Sequence, residues 1–351
     1  MTNKNVEHLA SFIQPFIEEQ KILQDGMKVK KLKLKETSTF PGASSIIKRY
    51  SFGEPNQLMV RERKTILLMG ATGMGKTTWI NAMINYVLGV EWKDDFRYKL
   101  VDEEVNKNQA HSQTQGVTAY DIHHREGFRI PFSLTIVDTP GFGDTQGIGR
   151  DEKITQAIQE FFEHSNGIKV MTTHSNKFEF NLLFIYSKCN SKQELDAVGF
   201  AVKCSDSRLT VQQQYIFNSV LSIFGKNVKE NIRFLINFNE GKQPLVLDAI
   251  KEAKLPCLMD SKGSPCHQKF NNGAIYVSNR DTDDEYSPIE WKNGMKNFKL
   301  FFDGLSAMPT TSLQMTKEVL ETRKCLENQL GFTQSRIQKQ LMKKKELENI
   351  E

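Results

Sequence analysis

Gly70–Thr78 reads GATGMGKTT and stands between an apolar run, Lys64–Met69 (KTILLM), and a segment whose Ile80, Met83, Ile84, Val87 and Leu88 recur at helical spacing before Gly89. A glycine-rich turn that closes a strand and opens a helix matches the GxxxxGK[ST] phosphate loop in the context that gives that motif its meaning. Its glycines allow successive backbone N–H groups to turn inward around a phosphate, and the helix that follows adds its positive N-terminal end. The phosphate-binding candidates are therefore Gly70, Ala71, Thr72, Gly73, Met74, Gly75, Lys76, Thr77 and Thr78. Lys76 has the reach for the β- and γ-oxygens, and the Thr77 hydroxyl suits Mg²⁺, which takes oxygen ligands and keeps several waters.

A second motif lies downstream in LTIVDTPGFGDT. Asp138 ends an apolar strand and is a candidate to hold Mg²⁺ through water, while the Gly141 N–H, three residues on, is placed to sense a γ-phosphate. Between the two motifs runs the polar stretch Asn106–Thr118 (NKNQAHSQTQGVT), the place for a switch loop. Thr114 is the first choice for a threonine that closes on the metal, with Thr118 the second. Loops of this kind are ordered by a γ-phosphate and released on its hydrolysis.

Together GATGMGKTT and VDTPGFGDT resemble the septin-like branch of the P-loop GTPases, which includes septins, immunity-associated GTPases and the chloroplast outer-envelope import GTPases. The resemblance covers roughly residues 62–305. It implies GTP or GDP with Mg²⁺ as ligands and a domain that pairs with another across the nucleotide. Phe142 follows DTPG where many GTPases carry a water-orienting glutamine, so hydrolysis is expected to be slow or completed by a partner. Lys76, Thr114 and Gly141 are the residues that would carry it.

For the base, the family pattern is Asn/Thr-Lys-x-Asp at the end of a strand. The matching strand, RFLINFNEGKQP, is read as ending in Asn239-Glu240, with Glu240 in place of the aspartate that would accept both guanine N1–H and N2–H. That departure leaves an ATP-binding P-loop ATPase open, and also a scaffold that holds nucleotide without hydrolysing it. A second base loop is sought at Asn271–Ala274 or Val277–Asn279.

Composition bounds the rest. The chain has 351 residues, 38% hydrophobic and 25% charged, in the ordinary globular range. Its net charge of +5 is small against 47 basic and 42 acidic residues, which argues against a nucleic-acid partner. Five cysteines lack metal-ligand spacing and read as reduced cytoplasmic thiols. No apolar run approaches the ~20 residues of a membrane helix, and membrane association has no support beyond a basic patch at Lys30–Lys35.

The expected architecture is an α/β P-loop domain, a mostly parallel doubly wound sheet, with a helical and possible coiled-coil extension. Residues 1–61 read as an N-terminal extension, 62–308 as the G domain and 309–351 as the C-terminal helix. KKLKLK at Lys30–Lys35 reads as an edge strand with lysines outward. Strands are expected at Phe132–Val137, Asp196–Val202, Arg233–Phe238 and Ala274–Val277, and a last helix over Trp291, Met295, Phe298 and Phe302. Val319, Leu326, Leu330, Ile337 and Leu341 keep a partial heptad, so homo- or hetero-oligomers through the G domain or the C-terminal helix are expected. Val170–Lys192 differs in character from its surroundings and reads either as a retained intron or as an insertion at the domain rim.

Overall fold

The computed structural model describes residues 13–342 apart from 14, 24, 38–46, 56–60, 103–115, 143–147, 165–193, 225, 242, 282, 313–321, 323, 324, 327 and 328. Strands β1 (Ile17–Ile22), β2 (Lys28–Leu32), β3 (Lys35–Glu36) and β4 (Ile47–Phe52) precede β5 (Arg63–Met69) and helix α1 (Lys76–Val87). Next come β6 (Phe96–Lys99), β7 (Val117–Ile122), β8 (Ser133–Asp138) and α2 (Ile148–His164). The second half holds β9 (Glu194–Leu195), β10 (Ala197–Lys203), α3 (Val211–Ile223), β11 (Ile232–Asn237), α4 (Val246–Glu252), β12 (His267–Lys269), α5 (Tyr286–Ala307) and β13 (Thr311–Ser312).

The main sheet runs β12-β11-β10-β5-β8-β7-β4-β3. It is parallel from β12 to β8, after which β7 turns antiparallel to β8 and β4 lies parallel to β7. Strand β5 shows why both faces must be covered. Its Ile66 and Leu68 enter one core with Ile80, Met83 and Phe298, from α1 and α5. Its Leu67 and Met69 enter the other with Ile158, Phe217 and Ile250, from α2, α3 and α4. A strand buried on both faces reads as a continuous apolar run, which is how KTILLM reads.

Four expectations need correction or fall outside the described chain. KKLKLK is not one edge strand: Lys30–Leu32 belong to β2, the middle strand of a small sheet, antiparallel to β1 and parallel to β6, and only Lys35 lies in an edge strand, β3 of the main sheet. Lys30 is buried there with its ammonium 4.2 Å from the Phe96 ring centroid, so its charge is met by an aromatic face rather than by water. Gly273–Tyr276 is a 3-10 turn, and the edge strand is the polar His267–Lys269 instead. The 61/62 boundary does not divide the sheet, because Ile47–Phe52 of the extension pairs residue for residue with Val117–Ile122. Residues 170–192 lie outside the described residues.

Lys64, which ion-pairs with Glu62 and Asp196, and Asn231, bonded to Pro309 O and Thr311, hold the chain's exit beside β9. Beyond it, residues 329–342 are helical and exposed, with Leu330, Ile337 and Leu341 facing solvent.

Candidate nucleotide-binding site

Strand β5 delivers Gly70 at the C-terminal edge of the parallel sheet, the edge where open α/β sheets place ligands. Between β5 and α1 the backbone turns through glycines at φ 145° (Gly70), 77° (Gly73) and 79° (Gly75). Gly75 caps α1 directly, so the first N–H groups of the helix open into the loop. Lys76, the first residue of α1, is buried and curls back so that its Nζ donates to Gly70 O at 2.9 Å and Ala71 O at 3.2 Å. Burial pushes its pKa down to about 8, against the opposing pull of the Asp138 carboxylate. An ammonium held in that way is stabilised by any anion that enters the loop. Thr77 is half-buried and Thr78 exposed.

The second motif sits directly against this loop. Asp138 ends β8 fully buried, and Thr139 donates its hydroxyl to Leu68 O at 2.8 Å. Thr72 N donates to Phe142 O at 3.0 Å and Phe142 N to Gly70 O at 3.4 Å, so the loop and the DTPGF turn form a miniature parallel ladder. Gly141 allows the approach: a Cβ there would stand 2.4 Å from Thr72 Oγ1, 2.6 Å from its Cα and 2.8 Å from its N. The Phe142 ring is wholly buried in the core with Leu67 and Met69. Of the two switch candidates, Thr118 is buried on β7 as the register partner of Asp138, and Thr114 lies outside the described residues. The approach to that segment is fixed by α1, whose Asn81 and Asn85 amides grip residues 98–101.

At the other end of the loop, the two asparagines of the turn after β11 play different structural parts. Asn237, the last residue of β11, donates from Nδ2 to Met74 O at 2.5 Å and ties the strand to the phosphate loop. Asn239 is instead a turn-builder: its Nδ2 donates to Cys204 Sγ at 3.0 Å and its Oδ1 accepts from Gly241 N at 3.0 Å. Read from 237, the turn is Asn237-Phe238-Asn239-Glu240, which carries the asparagine and the acid at the spacing of the expected pattern. That spacing was available in the sequence, and the doubled asparagine hid it.

Glu240 is exposed and lines a cleft of about 870 Å³ that also takes in Asn271 and Glu290. Burial, with Asp284 and Glu240 nearby, raises the Glu290 carboxyl, whose Oε1 accepts from Asn271 Nδ2 at 2.6 Å. Of the two candidate second loops, Asn271–Ala274 is the one with a residue, Asn271, in the cleft beside Glu240. Asn279 is spent elsewhere, on Trp92 O and Asp94 O.

The residues present fit a nucleotide and its metal. Thr72 Oγ1 and Asn237 Oδ1 are buried polar atoms that find no partner among the described residues. They flank the glycine loop with its one cationic side chain, and Thr77 and Asp138 offer the oxygen donors that Mg²⁺ prefers.

The chain is similar to known proteins over the stretch that carries these motifs. Residues 62–198 match the septin family model. Over 83 residues the chain is 36% identical to the Septin homolog spn6 of Schizosaccharomyces pombe, a stretch that covers 23% of this chain and 18% of that relative. Among solved structures it is similar to Toc33 from Arabidopsis thaliana in complex with Mg²⁺ and GMPPNP, at 13% identity and a TM-score of 0.40, covering 71% of this chain and 88% of that one. Toc33 in complex with GDP and Mg²⁺ aligns at 13% identity and a TM-score of 0.39, over 69% and 84% of the two chains. The stretch that carries the phosphate loop and the Asp-Thr-Pro-Gly turn is thus the part of the chain that is similar to septins.

Proposed function

We propose that this chain binds GTP or GDP with Mg²⁺ at Gly70–Thr78 and that the bound nucleotide controls its association with other chains. The observation that carries the reading is the join between the two motifs, Thr72 to Phe142 and Phe142 to Gly70, with Lys76 and Asp138 buried beside it. In that frame the loop N–H groups and Lys76 would bind the phosphate chain. Thr77 and Asp138 would hold Mg²⁺, with Thr114 a candidate to join them, and the ion's chemistry is neutralisation of charge on the β- and γ-oxygens. Gly141 N–H would report the γ-phosphate to the segment that follows.

Hydrolysis in this reading is slow or partner-dependent. The side chain after Gly141 is Phe142, and its ring is sealed in the core, so that position offers no group to orient water. The same observation favours a second reading, a nucleotide-bound scaffold without turnover. Association would run through the G domain or the exposed stripe Leu330, Ile337 and Leu341, in a cytoplasmic setting.

Titration of the full chain with a fluorescent GTP analogue and Mg²⁺, in competition with GTP and ATP, tests the proposal beside Lys76→Ala. The expected result is displacement by GTP well below ATP and loss of binding in the variant. Equal competition by ATP would remove the guanine assignment, and absence of any binding would remove the site.

A further inference from the structure

Helix α5 meets the segment Lys269–Gly273 with one face. Asn297 Nδ2 donates to Lys269 O at 2.8 Å, a Cβ on Gly294 would stand 3.9 Å from Asn271 O, and Glu290 Oε1 accepts from Asn271 Nδ2 at 2.6 Å. Positions 290, 294 and 297 are spaced i, i+4 and i+7, which puts them on one side of a helix. The helix is a firm support. Its Trp291, Phe298, Phe301 and Phe302 are buried in the core, and the Phe298 ring lies 4.8 Å from that of Phe270, between Lys269 and Asn271.

Backbone bonds join this segment to the turn after β11. Phe270 N donates to Ile236 O at 2.7 Å, and Asn239 N donates to Phe270 O at 3.1 Å. At Asn271 the hold passes to side chains: its Nδ2 is spent on Glu290, and its Oδ1 accepts from Gly273 N at 3.3 Å. The second oxygen of Glu290 lies against the same turn, 3.5 Å from where a Cβ on Gly273 would stand. A carboxylate that accepts from a planar amide fixes the direction of the amide as well as its place. Glu240, Asn271 and Glu290 line one cleft, so the side chain that Glu290 holds shares its space with the proposed base acceptor.

We propose that Glu290 is a positioning residue for base selection: through Asn271 it fixes the second loop beside Glu240, and the preference for guanine over adenine depends on that hold. The proposal rests on the nucleotide reading above. Guanine offers Glu240 two donors, N1–H and N2–H, and both are used only while the base is kept in register. Adenine has no such pair, so it loses less when the loop is loosened.

The test is calorimetric titration of the full chain and of Glu290→Ala, Glu290→Gln, Asn271→Ala and the double alanine variant with GTP, ATP and inorganic tripolyphosphate, each with Mg²⁺. Tripolyphosphate fills the loop and has no base. Glu290→Ala is expected to weaken GTP by roughly tenfold, the worth of one hydrogen bond to a charged group, to weaken ATP less and to leave tripolyphosphate unchanged. Glu290→Gln keeps an acceptor of the same length and should stay within about threefold of the parent, a neutral hydrogen bond being the weaker kind. Asn271→Ala should match Glu290→Ala, and the double variant should lose no more than either, because the two side chains act as one unit. If Glu290→Ala does not fold, the pattern of Asn271→Ala across the three ligands decides in the same way. Unchanged GTP affinity in Glu290→Ala overturns the proposal. So does an equal loss of GTP and tripolyphosphate, which would make Glu290 a support of the fold, and so do additive losses in the double variant, which would mean that it does not act through Asn271. The unaltered chain tests the underlying reading. If it binds GTP no better than ATP or tripolyphosphate, base selection and this proposal fall while the phosphate site stands; if it binds none of the three, both fall together.

Discussion

The two ends of the site are built from different materials. At the phosphate-loop end the two motifs are joined backbone to backbone, Thr72 N to Phe142 O and Phe142 N to Gly70 O, with the Lys76 side chain folded onto two carbonyls of the same loop. At the proposed base end the contacts are made by side chains, Asn237 on Met74 O, Asn239 on Cys204, Asn271 on Glu290. A backbone-built site tolerates almost any residue except where a Cβ does not fit, so its sequence signature is a spacing of glycines. A side-chain-built site can be assembled from several residue types, so its signature drifts while its geometry holds. The phosphate-loop end accordingly keeps a full motif, and the proposed base end keeps an asparagine and an acid at its spacing.

The sharpest way to break this contrast is Gly141→Ala. The new Cβ meets Thr72 at its N and Cα as well as its hydroxyl, and backbone atoms cannot swing aside. One methyl group is expected to cost about 1–3 kcal/mol of stability and to remove nucleotide binding, seen by thermal unfolding and by titration. If Gly141→Ala folds and binds as the parent does, the close backbone contact is not what holds the phosphate end.

Asn237→Ala and Asn239→Ala sharpen the other side of the comparison. Asn237 links the base strand to the loop, so its loss should weaken GTP by about tenfold, the worth of one to two hydrogen bonds, with a smaller change in tripolyphosphate affinity. Asn239 holds the turn itself, so Asn239→Ala should lower stability by about 1 kcal/mol and affect binding only through that loss. The reverse ranking would return the base contact to Asn239, where the sequence pattern first put it.

What could be read in the sequence follows the same division. The order β5, loop, α1 and the Asp138 strand were legible because each is an apolar run with both faces buried, punctuated by residues the backbone requires. Elements at the margins were not. His267–Lys269 is an edge strand of three half-buried polar residues and carries no periodic signal, whereas the more apolar Gly273–Tyr276 forms a 3-10 turn under α5. Lys30 hides in the middle of a small sheet because an aromatic face and a long aliphatic stem replace water, which alternation of lysine and leucine cannot reveal. Strand β4 sits in the main sheet although nothing local in IKRYSF marks its partner. There Arg49, at 2.6 Å, and Arg63, at 2.9 Å, converge on the buried Asp121 of β7, an anchor visible only once the strands are side by side.

The smallest expected effect is one of pH, and it separates Lys76 from everything else at the phosphate end. Its folded pKa of about 8 lies below the ordinary lysine value of 10.5. Above about pH 8 the folded chain has released a proton that the unfolded chain keeps, so this group makes stability rise with pH up to about pH 10.5. Nucleotide binding has the opposite sign, because a polyanion in the loop favours the charged ammonium and must recover the proton. Between about pH 7 and about pH 8.5 the apparent GTP affinity should fall by about fourfold, the drop in protonated fraction for that pKa. Over the upper part of the same range the melting temperature of the free chain should hold or rise. Lys76→Arg, whose guanidinium stays charged throughout, should flatten both trends whatever its absolute affinity. Parallel trends in the two measurements would mean that the buried ammonium is not the group that meets the phosphate.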